Sequence, residues 1–398
     1  MLISLVGKPS AGKSTFFKAA TLAEVEISPR PFTTLKPNHA IGYVKVDCVD
    51  KEFNVQCNPR EGYCINNKRF VPIELLDVAG LIEGSHQGHG LGFQFLDDLR
   101  KGDILIHIVD ISGSTNEKGE LVKPLSYDPL KDVKFLEKEI NLWYLSILKK
   151  GWDKFVKQVT QENQNIKKSL AKQLSGLNVN EEAVEEAIKE LKLIHKPLQW
   201  SEEDLFQLAS LLRKKTKPML IAANKIDIEG SEYNLHRLQS EFPDLKVIPC
   251  SADSELALRE ASKYNLIKYI PGENDFEIIN EKKLSEQQLK ALTFIKKDVL
   301  DKYGNTGIQQ VLDAAVFDFL NYIAVFPGGL NKLQDKDGNY IPDCFLIPKG
   351  STALNFAYRI HTDIGKKFVK AIDVKKRLPV GKNHILKHRD VIEIKTSS

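Results

Sequence analysis

Met1-Leu-Ile-Ser-Leu-Val-Gly7-Lys8-Pro9-Ser10-Ala11-Gly12-Lys13-Ser14-Thr15 is the stretch whose reading decides the fold. Leu2 to Val6 is a strand-sized apolar run, Gly7 to Ser14 carries the spacing G-x4-G-K-S, and a helical pattern follows from about Lys13 to Leu22. A glycine loop between a strand and a helix lets backbone N–H groups curl around phosphate oxygens, and the helix N-terminus adds partial positive charge. Lys13 then reaches the β- and γ-phosphates of a nucleotide, and the Ser14 hydroxyl ligates Mg2+. The phosphate-holding set is Gly7, Lys8, Pro9, Ser10, Ala11, Gly12, Lys13, Ser14 and Thr15.

Working outward, the first half alternates strand-like and helix-like segments. Ala40 to Val46 and Phe70 to Leu76 alternate with period two, whereas Ile104 to Val109 and Met219 to Ala223 are near-continuous apolar runs. The latter pattern belongs to central parallel strands covered on both faces. Lys246 to Pro249 adds a further short strand. The expected class is α/β: a doubly wound, mostly parallel sheet with ligands at the strand C-termini.

Two motifs after later strands say which nucleotide. Asp77-Val78-Ala79-Gly80 offers a carboxylate that holds Mg2+ through water and an amide that senses the γ-phosphate. Asn224-Lys225-Ile226-Asp227 follows the apolar run Met219 to Ala223. A carboxylate at Asp227 accepts from both N1–H and the N2 amine of guanine, a donor pair that adenine lacks. Lys225 covers the base plane and Asn224 ties this loop to the phosphate loop. Ser251 and Ala252, at the end of the next strand, place a backbone N–H against guanine O6. Four motifs in this order define a binder of GTP and GDP with Mg2+.

The alternation is interrupted from about Asp128 to Lys215, where no strand signal appears. Leu136, Ile140, Trp143 and Ile147, then Ala183, Ala187, Leu191 and Ile194, recur at helical steps. We expect an inserted helical, coiled-coil-like domain, with Gly176 to Asn180 as the turn between its arms. A second helical run is expected from Glu255 to Ile323, strongly amphipathic over Glu286 to Lys302. Beyond Pro327-Gly328-Gly329, short strands and turns suggest a small mixed module. The expected division is a nucleotide domain over 1–127 and 216–323, the helical insert over 128–215, and a C-terminal module over 324–398.

These motifs resemble the translation-factor class of GTPases, and within it the Obg family. Arg30-Pro31-Phe32-Thr33-Thr34-Leu35-Lys36-Pro37-Asn38 is similar to that family's first switch, which implies that Thr34 binds Mg2+. The glycine-rich stretch from Asp77 to Leu96 is similar to its second switch. The resemblance is to the YchF-like (Obg-like ATPase-related) branch, in its GTP-type form, and covers nearly the whole chain. Leu346 to Lys367 resembles the TGS signature, which implies a β-grasp fold that contacts RNA or the ribosome. Arg359, His361, Lys366 and Lys367 are the residues to test there. The ATP-using members carry NxxE where this chain has Asp227, so their ATP preference is not carried over. Potassium-activated relatives place Asn where this chain has Ser10, which leaves potassium dependence open.

Ras-like GTPases orient the attacking water with a glutamine after DxxG, and here that position is Leu81. A slow intrinsic rate is expected, with His86, Gln87 or His89 as candidates to swing in. The catalytic set is therefore Lys13, Thr34, Gly80 and His86, and the metal set Ser14, Thr34 and Asp77. Loss of the γ-phosphate is expected to release the loops that hold Thr34 and Gly80.

Composition bounds the rest. The chain has 398 residues, 42% hydrophobic and 28% charged, and its longest apolar runs are strand-sized. That falls far short of the roughly 18 residues needed to cross a bilayer. The N-terminus reads as a first strand without a basic leader. A cytoplasmic protein with no membrane partner is expected, with a monomer favoured. Five cysteines (Cys48, Cys57, Cys64, Cys250, Cys344) include no CxxC pair and fit reduced thiols. Asn58 to Gly62, between Cys57 and Cys64, reads as a hairpin turn, and no further metal ligands stand at matching spacing. From Asn331 to Ser398 there are 14 Lys and Arg against 7 Asp and Glu. This net of +7 leaves −3 for the remainder of a chain of net +4, and it suits a polyanionic partner. The ribosome or a structured RNA, engaged through the TGS module and the helical insert, is the expected partner. Two alternatives are an RNA-binding adaptor that keeps nucleotide as a structural ligand, and an ATPase of relaxed specificity.

Overall fold

The apolar runs form the centre of a parallel sheet, as their composition requires. The computed structural model describes residues 1–22, 38–78, 92–193, 196–330 and 332–397. In chain order, β1 (Leu2–Val6) leads into α1 (Lys13–Thr21), followed by β2 (His39–Asp47), β3 (Tyr63–Ile65) and β4 (Lys68–Asp77). Next come α2 (Gly92–Lys101), β5 (Ile104–Asp110), α3 (Leu130–Lys149), α4 (Trp152–Gln161), α5 (Ile166–Gln173), α6 (Glu181–Glu190) and α7 (Glu202–Thr216). Then β6 (Met219–Asn224), α8 (Ser231–Glu241), β7 (Val247–Pro249) and α9 (Ala252–Lys263) complete the first half of the fold. The C-terminal half holds β8 (Ile267–Tyr269), β9 (Phe276–Ile278), α10 (Glu286–Phe294), α11 (Asp301–Tyr303) and α12 (Ile308–Asp313). It ends with β10 (Tyr322–Pro327), β11 (Phe345–Pro348), α13 (Ala353–Ile360), α14 (Thr362–Lys366), β12 (Phe368–Asp373), β13 (Leu378–Val380) and β14 (Val391–Thr396).

Two compact units divide the chain: Met1–Phe17 with Leu75–Asp253, and Lys18–Glu74 with Ser254–Ser398. In the first, the end of β4 lies beside β1, and β5, β6 and β7 follow in order. The pairs β1·β5, β5·β6 and β6·β7 are parallel, and every residue of β5 and β6 is buried. Asp110 lies opposite Asn224 at the C-terminal ends of β5 and β6. That register delivers one side chain from each strand to the same edge, where ligands of such sheets bind.

The helical insert shares the core of this unit. Val6, Leu76, Phe95 and Leu105 from the sheet side pack in one buried cluster with Leu136, Ile140, Trp143 and Tyr144 of α3 and Leu208 and Leu212 of α7. The two long helices that pair are α3 and α7, whereas the second periodic stretch, from Ala183, begins on the short α6, one of three shorter helices between them. The run is broken where the backbone turns left-handed, at Gly151, Asn163 and Asn178. New helices then start at side-chain caps: Asn165 accepts from Lys167 N–H, Asn180 from Ala183 N–H, and Ser201 forms a capping box with Asp204. The turn expected at Gly176 to Asn180 therefore joins two short helices and not two long arms.

In the second unit, β4 lies between β2 and β3, with β3·β4 antiparallel. The hairpin turn sits at Asn66 and Asn67, both left-handed, and not at Asn58 to Gly62 as the composition suggested. The expected helical run after Glu255 is also interrupted. The strands β8 and β9 form an antiparallel hairpin of three residues each, too short for its alternation to register as a pattern. After it, α10 continues through a π-helical segment, Ile295–Leu300, into α11. The last sheet has the order β11-β10-β14-β12-β13, mixed in direction, with β10·β14 parallel and the other pairs antiparallel. Phe356 of α13 packs on Ile323, Val325, Ile347 and Ile392, which is a helix laid across a small mixed sheet.

Candidate functional site

Backbone geometry shapes the phosphate loop before any side chain acts. Gly7 leaves β1 so close to β5 that a Cβ there would meet the Ile108 carbonyl oxygen at 2.6 Å. Gly12 has φ +90°, and a Cβ there would run into the Asn224 carboxamide. Both glycines are required by space. From Lys13 onward the chain is helical, with Phe16 N–H donating to the Gly12 carbonyl at 2.8 Å. The first N–H groups of a helix have no partners within it, which leaves those of α1 for an anion at its N-terminus.

Lys13 Nζ stands 2.5 Å from Asp77 Oδ1, and both side chains are largely buried. The ammonium and the carboxylate thus converge on one point, at the start of α1 and the end of β4. Ser14 is exposed on the first turn of α1. A hydroxyl and a carboxylate are hard oxygen donors, the set Mg2+ prefers. The residues present fit the ion.

The second loop is tied to the first by one carboxamide. Asn224, 2% exposed, donates from Nδ2 to the Ala11 carbonyl at 2.9 Å and accepts through Oδ1 from Ala252 N–H at 3.0 Å. A single side chain therefore links the phosphate loop, the end of β6 and the start of α9. Lys225 adopts a left-handed φ of 65° and donates to Asp110 Oδ2 at 3.0 Å and to Ser114 Oγ at 3.3 Å. Asp227 is half-buried, and among the described residues its carboxylate has no hydrogen-bond partner. Burial, and then the charge of Asp227, push the neighbouring Asp253 carboxyl up. Ser251 and Ala252 are buried beside them.

Two residues central to this arrangement were not singled out in the sequence. Asp110 is fully buried; burial pushes its carboxyl up, but hydrogen bonds from Ser112, Thr115 and Lys225 outweigh that and hold it below the usual carboxylate range. It fixes Lys225. Its signal is a carboxylate at the very end of an apolar strand. Asp132 is the other. Lys8, expected among the nucleotide-holding residues, turns its side chain away into a buried pair with Asp132 Oδ2 at 2.9 Å. Its ammonium also donates to the Thr115 carbonyl and lies 3.9 Å from the centroid of the Tyr127 ring. Only the Lys8 backbone is available to the phosphate loop. Thr34, Gly80, Leu81, His86, Gln87 and His89 lie outside the described residues.

In the C-terminal module, Arg359, His361, Lys366 and Lys367 are all exposed around α13 and α14, next to the exposed ring of Tyr358. His361 accepts from Asp363 N–H at 3.1 Å, whereas Arg359, Lys366 and Lys367 make no ion pair among the described residues. No helix among the described residues is long and apolar enough to cross a membrane.

Fold and site together define a P-loop guanine-nucleotide-binding protein. Comparison with known proteins agrees. Residues 2–138 match the 50S ribosome-binding GTPase family, residues 222–328 the Obg-like GTPase YGR210-like, G4 motif-containing domain, and residues 334–396 the TGS domain. An uncharacterized GTP-binding protein of Methanocaldococcus jannaschii is 50% identical, over 99% of this chain and 98% of its own length. The ribosome-binding ATPase YchF of Mycoplasma genitalium is 27% identical over 98% of each chain. Among solved structures, a GTP-binding protein from Pyrococcus horikoshii OT3 superposes with a TM-score of 0.77 at 38% identity, covering 100% of both chains. The chain belongs to the Obg-like GTPases of the YchF-related, YGR210-like group, nucleoside-triphosphate hydrolases with a C-terminal TGS domain.

Proposed function

We propose that this chain is a slow, Mg2+-dependent GTP hydrolase of the cytoplasm that reports its nucleotide state to the ribosome or to an RNA-bearing partner. The observation that carries the reading is Asn224, whose carboxamide locks the phosphate loop to the loop bearing Asp227. Asp227 accepts from the two donors on the Watson–Crick edge of guanine, and a half-buried carboxylate that a bound base leaves unpaired disfavours adenine. Lys13 neutralises the β- and γ-phosphates once the nucleotide draws it from Asp77. Ser14, Asp77 and Thr34 hold Mg2+, which supplies charge neutralisation at the transferring phosphoryl group. Gly80 senses the γ-phosphate. Leu81 cannot orient water, so the intrinsic rate is slow, with His86 as the nearest candidate in sequence.

The partner reading rests on two supports. The YchF relative carries the description ribosome-binding, and the C-terminal module presents Arg359, Lys366 and Lys367 with Tyr358 as a solvated basic and aromatic face. Such a face suits phosphates and unstacked bases. We assign 1–127 with 216–323 to nucleotide handling, 128–215 to a helical insert and 324–398 to partner contact.

The test has two arms. GTP and ATP turnover are measured side by side, with GTP preferred in the wild type. Co-sedimentation with ribosomes is then compared in GDP and GTP-analogue states, for the wild type and for Arg359→Glu/Lys367→Glu. Equal turnover of both nucleotides removes the guanine reading, and state-independent sedimentation that ignores the charge reversal removes the partner reading.

A further inference from the structure

Away from the nucleotide site, the second unit gathers three thiols and a carboxylate at one point. Cys48 follows β2, Asp50 lies in the 3-10 turn Val49–Phe53, Cys57 stands in the loop beyond it, and Cys64 is the middle residue of β3. One ligand atom from each of the four lies within 4.8 Å of all the others. Cys48 Sγ and Cys57 Sγ are 3.4 Å apart, and Cys64 Sγ is 3.8 Å from Asp50 Oδ2. Around a tetrahedral ion with metal–sulfur bonds of about 2.3 Å and metal–oxygen bonds of about 2.0 Å, donor atoms stand about 3.5–3.8 Å apart. Those two pairs already stand near that spacing, and no two of the four donors are more than 4.8 Å apart.

The carboxylate is the telling member. Asp50 is fully buried, and Cys48 and Cys57 are 2% and 3% exposed. Its two oxygens are held by the N–H groups of Lys51 and Cys57 and by Asn67 Nδ2, at 2.7, 3.2 and 3.1 Å. These bonds orient the group toward the thiols, as outer hydrogen bonds orient metal ligands. Arg69, 1% exposed, places Nη1 3.7 Å from Cys57 Sγ, which favours a thiolate there. A disulfide between Cys48 and Cys57 would account for two of the four residues and for neither Cys64 nor the buried acid.

We propose that Cys48, Asp50, Cys57 and Cys64 form a closed, structural Zn2+ site. Three thiolates select a soft or borderline ion over Mg2+ or Ca2+, and four protein ligands close the shell to substrate. Binding releases the thiol protons to solvent and involves no redox step. Three thiolates, one carboxylate, Zn2+ and the Arg69 guanidinium leave a formal charge of −1 in the buried cluster. The ion would pin a loop that has few regular hydrogen bonds of its own. That loop carries Asn58, whose N–H donates to the Tyr340 carbonyl at 2.9 Å, and Arg60, which pairs with Asp335 and Asp343 at 2.8 and 3.2 Å. The site thereby fixes the seating of the 335–343 segment within this unit.

The full-length chain, purified under reducing conditions from zinc-supplemented cells, is measured for metal by inductively coupled plasma mass spectrometry. About one zinc per chain is expected. The metal-stripped, reduced protein is titrated with Co2+, and a stoichiometric rise of thiolate-to-cobalt charge-transfer and tetrahedral ligand-field bands is expected. Cys57→Ser and Cys64→Ser should weaken those bands, Asp50→Asn should shift them, and Cys344→Ser should leave them unchanged. Because the wild-type measurements need no variant, a misfolded mutant does not blunt the test. Metal-free wild type that takes up no Co2+ overturns the proposal. So does a Cys48–Cys57 disulfide found by alkylation and mass spectrometry in protein purified without added oxidant or reductant. Iron in place of zinc overturns the assignment of the ion.

Discussion

Removing the Asn224 carboxamide should uncouple the two halves of the nucleotide site. In Asn224→Ala, the Ala11 carbonyl and the Ala252 N–H lose partners at 2.9 and 3.0 Å in a place where the parent side chain is 2% exposed. An unsatisfied buried group costs about 1–3 kcal/mol. Two would cost about 2–6 kcal/mol, but the vacated volume admits a water to one of them, so about 2–4 kcal/mol is expected. If half of that falls on the order of the two loops, GDP binding weakens about tenfold or somewhat more. Asn224→Asp sharpens the argument. It keeps an acceptor for Ala252 N–H but turns an anion toward the Ala11 carbonyl, so its cost should equal or exceed that of alanine. The assays are denaturant unfolding of nucleotide-free protein and titration with a fluorescent GDP. An alanine variant within about 0.5 kcal/mol of wild type, with unchanged GDP affinity, would refute the reasoning, since typical unstrained surface changes fall in that range.

Other perturbations test separate parts of the molecule. Asp227→Asn should lower GTP affinity about tenfold to a hundredfold and raise that for xanthosine nucleotides, because the new amide donates to a C2 carbonyl while still accepting from N1–H; competition binding with the two nucleotides checks it. Arg259 is buried, with Nε on Glu255 Oε1 at 2.6 Å and Nη1 on the Leu22 carbonyl at 2.8 Å. Arg259→Met strands the buried Glu255 carboxylate and should cost about 3–5 kcal/mol in unfolding free energy. Asp313 accepts from Lys45 N–H at 2.7 Å and from Gln309 Nε2 at 2.9 Å, and burial pushes its carboxyl from 3.8 up to about 7. Between those values the native state holds a proton that the unfolded chain has lost, so this group's contribution to stability falls as pH rises from about 4 to about 7 and is constant above. Asp313→Asn should remove that slope and gain at most about 4 kcal/mol at pH 8, measured as the difference between the two proteins' pH–stability curves.

How far the residues alone disclosed this protein differs from place to place. The phosphate loop, the strand-end carboxylate Asp77 and the base-reading loop were legible because their chemistry depends on neighbours in sequence. Glycines must lie next to the phosphates, and a strand must end where its ligand begins. The apolar runs of β5 and β6 announced parallel, doubly covered strands for the same local reason. The left-handed breaks at Gly151, Asn163 and Asn178 were harder to see, because a helical stripe continues in phase through a short interruption. The hairpin of β8 and β9 was missed because three residues are too few to establish a period.

What only the tertiary structure decided is which distant side chains share a place. Asp110 holds Lys225 across 115 positions, Lys8 is taken out of the nucleotide site by Asp132, and Asn224 bridges residues 11 and 252. Cys48 and Asp50 join Cys57 and Cys64 because a 3-10 turn and a strand fold back on one another, with no spacing rule to betray it. Composition sets which groups a chain owns. Their partners are set by the packing of apolar faces that bury them together, and that depends on the whole chain at once.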